Sequence, residues 1–111
     1  EDLLRKMSLE EKMAQVNCLF PWGDNWENLK KSAKHGIGQV STLEVREIQT
    51  LEEAARWQRK IQKMVMENSE HHIPAIFHME GLCGAFIQDS TSFPTGIGRG
   101  SSWKPELEKR V

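Results

Sequence analysis

Residues 73–86 read IPAIFHMEGLCGAF. The compact apolar run after the two histidines predicts a strand over 73–79, apolar enough on both faces to lie in a covered sheet. Its regularity stops at Glu80, which is followed by Gly81, Cys83 and Gly84. Parallel α/β folds gather functional residues at the carboxyl ends of their strands, and glycines there allow close approach and unusual dihedrals. Glu80 is therefore the first candidate site residue. An ionised carboxylate accepts hydrogen bonds from two adjacent hydroxyls, the pattern that a pyranose ring offers.

Outward from this strand, helices and strands alternate. Upstream, Thr50 and Glu53 form a capping box, and Leu51, Ala54, Ala55, Ile61 and Val65 make an apolar stripe that predicts a helix over 51–69. Trp57 and Met64 flank the stripe. IGQVSTL, residues 37–43, is short and β-branched and predicts the preceding strand; EVREIQ, residues 44–49, reads as loop or a single helical turn. Asp24 or Asn25 can cap a helix through WENLKKSAKH, with Gly36 ending it. FPWGDN breaks the chain before that. Earlier still, Ser8 and Glu11 form another capping box, with Leu9, Met13 and Val16 on one helical face, and EDLLRKM also reads helical.

Downstream, the loop runs from Glu80 to about Phe93. TGIGRGSS, residues 95–102, is the candidate third strand, and KPELEKRV starts a helix with Pro105 in its first turn. Strands separated by helices imply a parallel α/β sheet.

The totals narrow the function classes. The 111 residues suit about one domain, and a net charge of -1 provides no basic surface for nucleic acid. No apolar run approaches a membrane span, and the charged opening residues lack the pattern of a secretory leader. Cys18 and Cys83 show no zinc-ligand spacing. Two free thiols in a reducing cytoplasm is the expected state.

Other residues offer weaker chemistry. His78 and Glu80 share a face of an extended strand, so a metal-assisted hydrolase using both is the alternative reading. His71 and His72 lie at the opposite end of that strand, which argues against a closed metal site. No metal and no cofactor is expected. Cys83 has no identifiable histidine and asparagine partners for nucleophilic catalysis. GIGRG lacks the spacing and lysine of a phosphate loop, so Arg99 is expected to pair or cover surface. Trp57 is expected in the core, whereas Trp22, in a loop, is a candidate for stacking on a sugar face.

KMSLEEKMAQV, GIGQV, IPAIFHMEGLCGAF and SFPTGIGRGSSWKPELEKRV, in this order, resemble the start of glycoside hydrolase family 3. The resemblance covers nearly the whole chain. It implies the N-terminal portion of a (β/α)8 TIM-like barrel, a fragment with about three strands, from a retaining exo-acting β-glucosidase or β-xylosidase. The family's sugar-binding aspartate corresponds to Glu80, which carries the carboxylate about 1.5 Å further out. A family histidine corresponds to Cys83, so its role does not carry over. The family's nucleophile and acid/base residue have no counterpart here, and a retaining mechanism needs both carboxyl groups. The resemblance therefore implies a β-linked glycoside as substrate, no catalytic residue in this chain, and the rest of the barrel and a following domain as its missing partners. A non-catalytic sugar-binding or structural module is the remaining alternative.

Overall fold

The computed structural model describes residues 1–21, 25–42, 50–85 and 89–110. Two short helices, α1 (Asp2–Lys6) and α2 (Leu9–Gln15), lead into β1 (Cys18–Leu19). Then follow α3 (Trp26–Ser32), β2 (Gln39–Ser41), α4 (Leu51–Asn68) and β3 (Ile76–His78). Two short helices, α5 (Gly96–Gly100) and α6 (Pro105–Glu108), complete the described elements. The strands form a parallel sheet in the order β1-β2-β3. Helices connect successive neighbours, as parallel pairing requires.

In this sheet, Leu19, Val40 and Phe77 stand in one register row. They pack with Leu29 and Ala33 at the end of α3, with Ile37 and Ala75, and with Ile61, Met64 and Val65 of α4. Trp57 is partly buried against this cluster, as the stripe on α4 leads one to expect. Leu51, assigned to the same stripe, is 59% exposed. Period two then turns the neighbouring row, Cys18, Gln39 and Ile76, to the other face of the sheet, where all three are exposed.

Local chemistry explains the ends of these elements. Thr50 Oγ1 accepts from Glu53 N at 3.2 Å and donates to the Glu53 carboxylate at 3.1 Å. Asn25 caps α3 by accepting from Asn28 N at 2.9 Å. Gln62 of α4 reaches the entry to β3, donating to Ala75 O at 3.4 Å and accepting from Ala75 N at 3.2 Å. One side-chain amide thus satisfies both backbone groups at a position just before the ladder begins. Gly38 enters β2 so close to α2 that a Cβ would overlap the Gln15 carbonyl outright. Its N–H donates to Ala14 O at 3.0 Å, and its carbonyl accepts from Ile76 N at 2.9 Å.

Several sequence expectations are corrected. Residues 95–102 are not a strand: Thr95 accepts from Gly98 N and starts α5. The glycines there offer no β-branched surface to pack, and the threonine provides a cap instead. The third strand of the sheet is β1, whose two residues are too few to show a period. Strands expected over 37–43 and 73–79 are described as the three-residue ladders Gln39–Ser41 and Ile76–His78. Helix α3 stops at Ser32, before Gly36, which holds a left-handed φ of 82° in the following turn. On α2, Leu9, Met13 and Val16 are 70%, 57% and 76% exposed, so that apolar face has no cover among the described residues. Residues 44–49, read as loop or one turn, lie outside the described residues.

Candidate functional site

The carboxyl ends of the strands converge on one edge of the sheet. There Thr42, just past β2, donates from its N–H at 2.8 Å and its Oγ1 at 2.9 Å to the carbonyl oxygen of His78. This double contact pins the last residue of β3. From that point Met79 and Glu80 leave the sheet. Glu80 is exposed, and its carboxylate makes no hydrogen bond or ion pair with the described residues. Gly81 beside it faces open space.

The start of the loop that follows is held by residues 91–93. Gly84 has φ 93°, and a Cβ there would overlap Thr91 O. Phe93 N donates to Cys83 O at 2.7 Å. Gly84 therefore allows the backbone of residues 91–93 to approach the start of the loop, where Gly84 N also donates to Gly81 O at 3.4 Å. One glycine thus serves a close backbone approach, and the Glu80 carboxylate is exposed.

His78 has an unexpected neighbour. Its Nε2 lies 3.3 Å from Cys18 Sγ, across the sheet from β3 to β1. Among the described residues, His78 and Glu80 join no cluster of three potential metal ligands. The one such cluster is Glu11, Glu70 and His71, near the amino end of β3. Cys83 is half-buried, and both cysteines are free thiols. Trp22, the other candidate for sugar contact, lies outside the described residues. Arg99 Nε lies 2.8 Å from Glu108 Oε1, in line with its expected pairing role.

At the opposite end of the sheet most of the polar chemistry is satisfied within the fold, although Gln15 Nε2 is buried without a hydrogen-bond partner among the described residues. Ser8 caps α2 by accepting from Glu11 N at 3.1 Å, but the Glu11 carboxylate does not return the bond as a capping box would. It accepts from His71 N at 3.2 Å and lies 2.7 Å from His71 Nδ1. Glu11 is only 3% exposed. Burial alone raises a carboxyl pKa, but the His71 ring, the His71 and Glu70 backbone and the His71 charge hold this one below the usual carboxylate range. This pair ties α2 to the turn before β3. Sequence reasoning missed it because sixty residues separate the partners.

The candidate site is thus the exposed strand-end edge of a small parallel α/β sheet, where the Glu80 carboxylate has no partner among the described residues. The chain is 32% identical over 117 aligned residues to a protein of Formosa agariphila named "Putative beta-xylosidase". The alignment takes in 98% of this chain but only 16% of that protein's length. No protein-family model matches the chain, and no solved structure matches it.

Proposed function

We propose that this chain is the N-terminal part of a family 3-like glycoside hydrolase barrel, where it supplies one wall of the sugar subsite through Glu80. The observation that carries the reading is the similarity of nearly the whole chain to a protein named as a β-xylosidase. The free, exposed Glu80 carboxylate at the strand end is consistent with it. In this reading Glu80 accepts hydrogen bonds from adjacent sugar hydroxyls and positions the ring. The nucleophile and the acid/base residue of the double displacement come from the rest of the complete protein.

The longer Glu80 side chain also sets a preference. A carboxylate displaced by about 1.5 Å crowds the space of a hexose hydroxymethyl group and leaves a pentose undisturbed. The test uses the complete protein with aryl β-xyloside and aryl β-glucoside. Xyloside is expected to be favoured by roughly tenfold to two-hundredfold in kcat/KM, and Glu80→Asp to narrow that ratio. Absence of turnover on both substrates overturns the glycosidase reading. A strong glucoside preference that Glu80→Asp leaves unchanged overturns only the steric argument.

A further inference from the structure

We propose that Cys18 is a thiol–disulfide exchange site served by His78, reacting with small acidic disulfides of the glutathione class. The proposal rests on the pair itself and on the cleft beside it, and does not depend on the glycosidase reading.

Cys18 is exposed, and its Sγ lies 3.3 Å from His78 Nε2. Their strands are not adjacent: β2 runs between them, and the pair is offset diagonally, since Cys18 is in register with Gln39 and His78 with Ser41. The bonds to Thr42 fix the backbone of His78, so the ring is carried on a pinned strand end. A neutral imidazole with its hydrogen on Nδ1 presents Nε2 as an acceptor for the thiol proton. An accessible thiol with an imidazole in contact is the arrangement that makes cysteine nucleophilic.

The second observation is a cleft of about 530 Å³ lined by Cys18, though not by His78, together with Asn17, Lys31, Lys34, His35 and Glu10. Two lysines face a single carboxylate, so a small anionic molecule is the favoured visitor. The step balances within the pair and its reagent. The Cys18 proton passes to His78 Nε2, and the thiolate attacks one sulfur of the incoming disulfide. The old S–S bond breaks as the new one forms. The departing thiolate takes the proton from the imidazolium and leaves as a thiol. One disulfide is consumed and one mixed disulfide is made.

The experiment treats the chain with oxidised glutathione at submicromolar protein concentration and reads adducts on the Cys18 and Cys83 peptides by mass. Half-buried Cys83 is the internal reference. Folded Cys18 is expected to react about tenfold faster than Cys18 in urea, and His78→Gln to remove that advantage while leaving Cys83 unchanged. Lys31→Gln with Lys34→Gln is expected to slow glutathione addition and spare reaction with neutral hydroxyethyl disulfide. Equal rates for folded and unfolded Cys18, or an undiminished rate in a folded His78→Gln chain, overturn the proposal. If His78→Gln does not fold, the comparison of folded with unfolded wild type decides alone. Equal sensitivity of both disulfides to the lysine changes overturns the assignment of an acidic reagent.

Discussion

The two ends of the sheet are built on different terms. At the amino end most polar groups have a partner, although Gln15 Nε2 is buried without one among the described residues. The Glu11 carboxylate takes two contacts from His71, Gly38 bonds Ala14, and Gln62 brackets Ala75. At the carboxyl end the backbone of His78 is pinned by Thr42, yet the next carboxylate, Glu80, is left without a partner among the described residues. A buried polar group must be satisfied within the fold, whereas an exposed one is free to bind something else. The contrast separates structure from proposed function: the amino end ties α2 and α4 to the sheet, and the carboxyl end carries the proposed site.

The sharpest way to break this contrast is to ask the carboxyl end to work alone. Residues 1–111 are expected to show no turnover of an aryl β-xyloside, because covalent catalysis supplies part of an acceleration of at least about 10⁶-fold and, under the proposed function, its carboxylates lie outside this chain. Turnover above a Glu80→Ala control would place a complete active site inside this chain.

Next in size are changes within the core that both ends share. Ile61 of α4 is 1% exposed where that helix joins the core with the sheet, and Ile61→Ala is expected to lower stability by about 2–5 kcal/mol. Gly38→Val should also unfold the chain, because its side chain meets the backbone of Gln15 rather than a flexible group. Urea melts followed by circular dichroism measure both. A Gly38→Val chain as stable as wild type would contradict the close approach of α2 to β2.

Glu80→Ala separates the two ends directly. In the complete protein it is expected to reduce kcat/KM by roughly a hundredfold, because charge-assisted hydrogen bonds contribute about 1.5–3 kcal/mol each. Stability should change by less than about 0.5 kcal/mol, as for an exposed residue without partners. The opposite outcome, unchanged kinetics with lost stability, would make Glu80 a structural group.

The amino end responds to pH. The Glu11 carboxyl lies below its ordinary range in the folded chain, so its stabilisation is full above the unfolded value of about 4.3. It is lost as pH falls through the lower folded value. A melting temperature that declines over that acid window, with a shallower decline in Glu11→Gln, is the expected result. Identical acid profiles for the two chains would remove the Glu11–His71 pair from the account.

The smallest effect concerns the uncovered face. Leu9, Val16 and Ile76 are 70%, 76% and 68% exposed. Exposed apolar surface favours association, so the isolated chain should self-associate as its concentration rises. Sedimentation showing a monomer throughout would mean that this face is tolerated in water.

Much of this was legible in the residues because it is local. Thr50 with Glu53, Ser8 with the Glu11 N–H, and the buried Ile61 and Val65 of α4 all depend on neighbours within a turn or on a helical period. The position of Glu80, where an apolar run gives way to glycines, is likewise a feature of consecutive residues. Tertiary structure decided the rest. It paired β1, too short for any period, and turned the apolar face of α2 to solvent. It redirected Glu11 from its own helix to His71 and brought Cys18 to His78. Each of these depends on which strand lies beside which, and that order is set by the packing of remote segments rather than by the pattern within one.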